Sequence, residues 1–294
     1  MPGWPDQTRL SEAKAEGQSA ARLFRLPFRD RVWSGLSGNW AGAGVGSSID
    51  FQDHRPYTPG DDPRYINWQA YARTGNYSMK LYREEVSPTV DLVLDDSPSM
   101  FFEDSKARRT LELFFFAAES SLQNGSSLCV YRAGAGDVKA VPVESIRAGS
   151  LDQPGADGEE AGVPNLSRVP FRQGSLRVII TDLLFPTPPA EVVRTLAAGR
   201  GRGVILAPYC ESESEPDWFG NIELVDCEGK GTRHQRIDSA LLDRYSTAYQ
   251  RHFELWTEES RRLGIASARV ASRNTLGEVL RAEALSSGAV EPWT

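Results

Sequence analysis

Cysteine is scarce in this sequence, and its distribution argues against disulfide and zinc chemistry. The 294 residues include three cysteines, Cys129, Cys210 and Cys227. Their odd number, their wide spacing and the lack of a Cys-x-x-Cys motif fit reduced thiols better than disulfide bonds or a structural zinc site. Cys129 lies inside an apolar run, so we expect it to be buried and unreactive.

Long hydrophobic runs are also missing. A membrane-spanning helix needs about 20 predominantly apolar residues, whereas the densest apolar patch, 111–118, is interrupted by Glu112. Near the N-terminus, Asp6, Glu12 and Glu16 interrupt any apolar region of the kind found in a secretory signal. The sequence therefore predicts no membrane span and a cytoplasmic location.

Positive charge is in deficit. The chain has 33 Lys and Arg residues against 40 Asp and Glu residues, which gives a formal net charge of −7 with His neutral. Binding to nucleic acid depends on a basic surface that neutralises several phosphates, so the composition argues against a nucleic-acid partner. Hydrophobic residues make up 40% and charged residues 25% of the chain, which is typical of a globular protein able to bury a large core.

Residues 1–47 differ in composition from the rest of the chain. Arginines alternate with large apolar residues over 22–33, and a stretch rich in Gly, Ser and Ala follows over 34–48. This composition predicts an N-terminal arm and a linker that is partly flexible. The glycines in this stretch neither follow a predicted strand nor precede Gly-Lys-Ser/Thr, so we do not interpret them as a phosphate loop.

Residues 48–88 are predicted to form a small strand, helix and strand unit. Asp62 followed by Pro63 is typical of a helix start and Gly75 of a helix end, which predicts one helix between them. Residues 77–82 alternate large and polar side chains, as a half-buried strand does.

Residues 89–286 alternate short apolar segments with amphipathic segments, and 287–294 form a C-terminal tail. The predicted strands are 89–95, 128–131, 138–143, 176–181, 204–207 and 265–270. The predicted helices run from Asp104 or Ser105 to Asn124, from Pro188 to Gly199, from Asp238 to Leu263 and from Leu276 to Ala284. The apolar stripe of the long helix is Leu242, Tyr245, Tyr249, Trp256 and Leu263. This alternation predicts an α/β fold with a doubly wound, mostly parallel sheet covered by helices on both faces.

Two of the predicted strands end in side chains suited to a metal ion. Ligands of open parallel sheets bind at the carboxyl ends of the strands. One strand ends at Asp95, with Ser97 and Ser99 two and four residues later, and another ends just before Asp182. Carboxylate and hydroxyl oxygens are hard ligands of the kind that Mg²⁺ takes. The spacing permits a metal site, and it is equally typical of turn and helix-cap residues.

Other catalytic motifs find little support. Position 97 is Ser, so the Asp-x-Asp pair of one class of phosphotransferase and hydrolase is missing. The chain has no Gly-x-Ser-x-Gly motif, and His54, His234 and His252 lie in segments without a nucleophile context. The acidic run 211–217 is interpreted as a solvated loop, with docking of a basic partner as the alternative.

An ordered series of residues between positions 50 and 85 carries a family resemblance. The series is Asp50-Phe51, the run from Arg55 to Arg64, Ile66-Asn67-Trp68, the run from Ala72 to Gly75, Lys80 and Arg83-Glu84-Glu85. It resembles the signature of the domain-of-unknown-function family numbered 58, and the similarity continues more weakly to about residue 284. Within the signature, turn and cap chemistry accounts for residues such as Pro59 and Gly60, and we expect Trp68 to be buried.

This resemblance implies a von Willebrand factor type A-like domain, which is a Rossmann-like sheet carrying a metal-ion-dependent adhesion site. In such a site Asp95, Ser97 and Ser99 form the first ligand loop, and Asp182 contributes from another strand, directly or through water.

The family fold usually adds a Thr ligand from an intermediate loop. Residues 148–168 contain no Thr, and Ser150 and Ser167 are the available substitutes. The resemblance therefore implies a weaker or degenerate metal site in this chain.

The resemblance also implies a role beside MoxR-type AAA ATPases in the maturation, activation or metal loading of client proteins. No catalytic activity is established for the family. We therefore expect a non-enzymatic adaptor that holds Mg²⁺ or Mn²⁺ and captures a carboxylate of a protein partner. The alternatives are a metal-dependent phosphoesterase or similar hydrolase acting through the same residues, and a structural scaffold with a degenerate metal site.

Overall fold

The structure is a computed structural model that describes residues 4–28, 37–45, 51–134, 138–152, 164–227 and 231–293. The strands are β1 (Phe24–Arg25), β2 (Ser37–Val45), β3 (Phe51–Pro56), β4 (Ser78–Val86), β5 (Thr89–Asp95), β6 (Ser127–Ala133), β7 (Val138–Val141), β8 (Leu176–Ile180), β9 (Arg202–Tyr209), β10 (Gly220–Val225), β11 (Thr232–Ile237), β12 (Ala266–Ala271) and β13 (Glu291–Pro292). The α-helices are α1 (Gln7–Ala21), α2 (Trp68–Thr74), α3 (Asp104–Gln123), α4 (Val143–Ala148), α5 (Pro189–Ala197), α6 (Glu211–Ser214), α7 (Ser239–Arg262) and α8 (Leu276–Val279). Short 3₁₀ turns lie at Pro63–Tyr65, Pro98–Phe101, Leu166–Arg168 and Ala198–Arg200, and a π-helical turn at Leu280–Ala284 continues α8.

A six-stranded sheet organises the larger of two units, which combines Met1–Pro27 with Thr89–Thr294. Its strand order is β12-β9-β8-β5-β6-β7, and every neighbouring pair is parallel except β6 and β7. Val93, Ile179 and Ile205 are aligned across the central strands and form a core with α5 and α7. Side chains alternate between the faces of a strand, and α3 packs against β5, β8 and β9 as well. The mostly parallel α/β sheet flanked by helices is the architecture that the alternating sequence pattern predicts.

The predicted ends of the long helix are confirmed. The Asp238 side chain accepts a hydrogen bond from the Leu241 backbone N–H at the start of α7, and Gly264 follows its end with φ +66°. Of the predicted stripe, Trp256 is fully buried, whereas Leu263 is half exposed because it lies beyond the last helical turn.

Helix α1 belongs to the larger unit, which differs from the predicted division at residue 47. Small residues such as Ala13 and Ala20 are buried on the face of α1 that packs along α3. Because this face consists of alanine and glycine apart from Leu10, it gives no large hydrophobic stripe in the sequence. β1 pairs with β13, which lies in the predicted C-terminal tail. Residues 29–36 of the predicted arm and linker lie outside the described residues.

The two helices approach each other closely at Gly17. A Cβ atom there would lie 2.7 Å from the Phe116 backbone nitrogen and 2.8 Å from the Glu112 carbonyl oxygen. We expect Gly17→Ala to lower the free energy of unfolding by about 1–3 kcal/mol, because overpacking against backbone forces the helices apart. Helix propensity alone would make the Ala variant more stable by about 1 kcal/mol. A lower free energy of unfolding in urea would therefore show that the close contact outweighs helix propensity.

Gly277→Ala is the matched control for this prediction. A methyl group there meets a Leu23 side-chain carbon at 3.5 Å, an ordinary contact distance. We expect the control to be neutral or slightly stabilising. A Gly17→Ala variant as stable as the wild type would contradict the packing of α1 on α3.

The smaller unit, Phe28–Pro88, contains an antiparallel sheet with the strand order β2-β4-β3. β2 lies in the stretch whose composition predicts a linker, and its backbone pairs with β4 through an irregular register. Backbone pairing therefore forms a strand here despite the low strand propensity of glycine and alanine.

The single helix predicted between Asp62 and Gly75 is divided into two parts. Asp62 caps a 3₁₀ turn, and Asn67 caps α2. Between them Ile66 has an extended conformation and forms an isolated β-bridge with Met79. The predicted helix end at Gly75 is confirmed by its φ of +71°.

Trp68 is 57% exposed, so the prediction that it is buried is wrong. It is the first residue of α2, a short helix whose residues are all exposed or half-buried. Its ring makes edge contacts with Tyr71 and Tyr77 at centroid distances of 6.2 and 6.4 Å. Trp68 therefore belongs to a surface cluster of aromatic rings instead of a core.

No disulfide bond joins Cys129, Cys210 and Cys227. Cys129 was predicted to be buried, but it is half-buried because it lies near the partly exposed start of β6. Across the described ranges, no helix has both the length and the apolar character that crossing a bilayer requires.

Candidate metal site

The carboxyl edge of the six-stranded sheet has a topological switch point between β5 and β8. The sheet continues from β5 through β6 and β7 on one side and from β8 through β9 and β12 on the other. Ligands of open α/β sheets bind at such a switch point. Asp95 is the last residue of β5, and Asp182 follows the end of β8 by two residues. The fold therefore places both predicted carboxylates at the switch point.

Asp95 is a buried carboxylate held by two neutral donors. The Ser97 backbone N–H donates to Oδ1 at 3.0 Å, and the Thr181 hydroxyl donates to Oδ2 at 2.6 Å. Burial, followed by the negative charge of Asp182, raises the pKa of Asp95 to about 7. Burying this charge is costly, so a cation placed beside it would stabilise its ionised form.

The two serines after β5 present a pair of hydroxyl groups. Pro98 begins a 3₁₀ turn between them, and the Oγ atoms of Ser97 and Ser99 lie 3.1 Å apart. Neighbouring ligands of an octahedral Mg²⁺ are about 3 Å apart, since the metal–oxygen distance is about 2.1 Å. The spacing of the hydroxyls is therefore compatible with their binding one ion.

Asp182 is already paired with a cation from the protein. The ammonium of Lys106 donates to Asp182 Oδ2 at 2.8 Å, while Oδ1 accepts from the Leu184 backbone N–H at 2.9 Å. Lys106 also donates to Glu213 Oε1 at 2.5 Å. Burial lowers the pKa of Lys106, but the two carboxylates outweigh burial and raise it above its ordinary value.

Glu213 brings a third strand end into the site. It lies in α6, directly after β9, and its Oε2 accepts from the Cys210 backbone N–H at 3.1 Å. Its carbonyl oxygen accepts from the Tyr245 hydroxyl on α7 at 2.7 Å. The interpretation of 211–217 as a wholly solvated loop is therefore wrong for this residue, because its carboxylate forms an ion pair with buried Lys106.

The chain has an unusual conformation directly after Asp182. Leu183 has φ +63°, which is rare for a branched non-glycine residue, and its side chain is buried. Its carbonyl oxygen lies 2.8 Å from His252 Nε2 on α7. Backbone strain of this kind persists where surrounding contacts hold it, and it is common at functional sites.

The donor set fits a divalent cation at Asp95, Ser97 and Ser99, whereas Asp182 is shared with Lys106. Within the described ranges, no group of three or more His, Cys, Asp or Glu side chains is arranged to hold a metal ion. A cation here would therefore depend on hydroxyl ligands as well as carboxylates.

Ser150 and Ser167, the two serines considered as substitutes for a Thr ligand, make local contacts. Ser150 Oγ donates to the Ser145 carbonyl, and Ser167 Oγ donates to Asn165 Oδ1. Residues 153–163 of the same loop lie outside the described residues.

Three residues of the site, Lys106, Glu213 and Thr181, were not predicted from the sequence. Lys106 could have been found from its position. It lies in the first turn of a helix, where the helix dipole disfavours a positive charge unless a nearby negative group compensates it. Thr181 could have been found because it lies beside Asp182 at the end of a strand. Glu213 lies among other acids, and nothing in the sequence distinguishes it from them.

A family model matches more than half of the chain. Residues 53–254 match the family model described as "Protein of unknown function DUF58". The chain is 26% identical over 248 residues to the uncharacterized proteins Mb1516 of Mycobacterium bovis and Rv1480 of Mycobacterium tuberculosis, covering 80% of this chain and 78% of each relative. A search of solved structures finds no significant match.

Proposed function

Because the chain belongs to the DUF58 family, whose function is unknown, we propose its function from the carboxyl-edge site: a non-enzymatic adaptor that binds a divalent cation and captures an acidic protein partner. One observation carries the proposal, namely the buried Asp95 beside the hydroxyl pair of Ser97 and Ser99 at the switch point of the sheet. We place this role in the cytoplasm.

The proposed fold assignment is a von Willebrand factor type A-like domain. Two features support it: the mostly parallel six-stranded sheet, and the Asp-x-Ser-x-Ser sequence directly at the end of its first strand, β5. The second acidic strand end, at Asp182, lies across the switch point from the first.

The proposed ligands have distinct roles. Asp95 supplies the negative charge, Ser97 and Ser99 supply neutral oxygens, and Asp182 contributes directly or through water while it remains paired with Lys106. A bound Mg²⁺ or Mn²⁺ would supply positive charge and open coordination positions for an incoming carboxylate. With neutral hydroxyls among its ligands, such a cation retains affinity for an acid from outside the chain.

The proposed partner, from the family resemblance, is a MoxR-type AAA ATPase, with maturation or assembly of client proteins as the shared task. A bridging cation would allow this acidic chain to bind an acidic group of the partner without a basic surface.

Two other functions use the same residues. A metal-dependent hydrolase needs a base or a second metal beside the first. Turnover of simple phosphoesters by the wild type that is lost in Asp182→Ala would support this function. A scaffold with a degenerate site is favoured by the Lys106 ammonium on Asp182, and it predicts that neither Mg²⁺ nor a chelator affects binding.

We expect Asp95→Ala to reduce the Mg²⁺-dependent binding of a MoxR-type AAA ATPase by at least tenfold, because it removes the charged ligand. Immobilised full-length protein is assayed with the ATPase in Mg²⁺, Mn²⁺ or EDTA. Thermal unfolding is measured in parallel, since a ligand at a hundredfold excess over its Kd stabilises the fold by about 2.7 kcal/mol.

Asp104→Ala is the matched control, because Asp104 lies shortly after Asp95 in the sequence and its carboxylate is exposed and paired with Arg9. We expect it to bind like the wild type. Binding that is equal in Mg²⁺ and EDTA, and equal in Asp95→Ala, would contradict the proposed function.

A further inference from the structure

We propose that Lys106 sets the affinity of this site for divalent cations by acting as an internal counter-cation on Asp182. The inference rests on the proposed function, since it concerns the same cation site. In this role Lys106 is a positioning residue that competes with the metal for one carboxylate, Asp182.

The position of Lys106 is fixed from two sides. Its ammonium donates to Asp182, at the end of β8, and to Glu213, just beyond the end of β9. The side chain is 2% exposed, so the ammonium cannot leave the site for solvent while α3 remains packed. Asp182 therefore keeps a cation in the absence of any metal.

The local charges show why this lysine matters for metal binding. Asp95, Asp182 and Glu213 carry three carboxylates, and Lys106 compensates part of their charge. An ammonium beside the ligands repels a divalent cation and competes with it for the lone pairs of Asp182. A neutral hydrogen-bond donor in place of the ammonium would therefore increase the affinity for a divalent cation, because both the repulsion and the competition for Asp182 are reduced.

The same contact explains how the fold tolerates the site without a metal. Two buried or half-buried carboxylates are paired with one lysine, so the carboxyl edge does not depend on a divalent cation for its folding. Under this inference the metal serves the binding of a partner, while Lys106 serves the stability of the free protein.

The test compares Mn²⁺ affinity in the full chain and in Lys106 variants, measured by electron paramagnetic resonance of free Mn²⁺. We expect the Kd for Mn²⁺ to fall at least tenfold in Lys106→Gln, which keeps a neutral donor to Asp182, and in Lys106→Met. Lys106→Arg keeps the charge and is expected to retain an affinity close to that of the wild type. Near-ultraviolet circular dichroism verifies that each variant is folded. If Lys106→Met does not fold, the comparison is made with Lys106→Gln alone.

Lys14→Gln is the matched control, because it makes the same charge change on α1, where Lys14 contacts the Arg147 carbonyl. It should leave Mn²⁺ affinity unchanged. Adding Asp95→Ala to Lys106→Gln should abolish the gain, since the gained affinity depends on the same site.

The outcomes separate this inference from the proposed function. Mn²⁺ binding that is equal in the wild type and in folded Lys106→Gln overturns the inference and leaves the proposed function intact. Binding seen only in Lys106→Gln and Lys106→Met supports the inference and contradicts a metal-dependent role for the wild type. If the wild type and both neutral variants all fail to bind, the inference and the proposed function are both overturned.

Discussion

Replacing Arg172 with Ala is expected to lower the free energy of unfolding by about 3–5 kcal/mol, because it leaves a carboxylate in the central strand without its cation. That carboxylate is Asp91, which is fully buried in β5. Arg172 Nε donates to Asp91 Oδ1 at 2.6 Å, and the Arg172 backbone N–H donates to Oδ2 at 2.8 Å. The guanidinium also donates to the carbonyl oxygens of Val90 and Ser127. Truncation removes all of the side-chain contacts together.

The measurement is equilibrium unfolding in urea, with the slope compared between variants to verify two-state behaviour. Arg251→Ala is the matched control, since its ion pairs with Glu254 and Glu258 are exposed and pairs of this kind contribute about 0–1 kcal/mol. A loss in Arg172→Ala no larger than that of the control would contradict the assigned role.

A double variant separates the contribution of the ion pair to stability from the cost of leaving one of its charges unpaired. Replacing a buried ion pair by apolar residues of similar volume is often neutral. We therefore expect Asp91→Leu combined with Arg172→Leu to be more stable than Arg172→Ala. A double variant that is less stable would indicate that the hydrogen bond from the Arg172 backbone N–H to Asp91 Oδ2, which Arg172→Ala retains, outweighs the cost of the unpaired charge.

This ion pair illustrates which parts of the fold the sequence could predict. The segment 89–95 was identified as a strand from its apolar residues, and the structure confirms it as β5. Asp91 interrupts that run, and its partner lies 81 residues away in the chain. Periodicity reports which face a residue occupies, but it carries no information on which distant residue compensates a buried charge.

The site was predictable to the extent that it consists of strand ends. Asp95 and Asp182 follow apolar runs directly, so the parallel sheet brings them to one edge. Lys106 and Glu213 lie outside those runs, on α3 and α6, and their meeting depends on how helices pack across the sheet. The acidic sequence around Glu213 indicated solvent exposure, whereas tertiary packing turned one of its carboxylates inward.

Trp256→Ala is the second change expected to have a large effect. Trp256 is 1% exposed in the core formed by α7, α5 and the sheet, and its ring makes an edge contact with Phe185 at 5.8 Å. Truncating a buried Trp removes transfer free energy and leaves a cavity, so we expect a loss of about 3–5 kcal/mol in urea unfolding. Leu255→Ala, at the neighbouring and partly exposed position of α7, is the control and should cost much less.

The same substitution should also loosen the carboxyl edge of the sheet. The Trp256 ring makes an edge contact with the His252 ring at a centroid distance of 6.4 Å, and His252 Nε2 lies 2.8 Å from the Leu183 carbonyl oxygen. The next residue, Leu184, donates its backbone N–H to Asp182 Oδ1. Hydrogen exchange of the Leu184 amide should therefore be faster in Trp256→Ala than in Leu255→Ala under native conditions. An unchanged rate would mean that α7 supports the core without positioning Asp182, and the strained turn at Leu183 would then be held by the sheet.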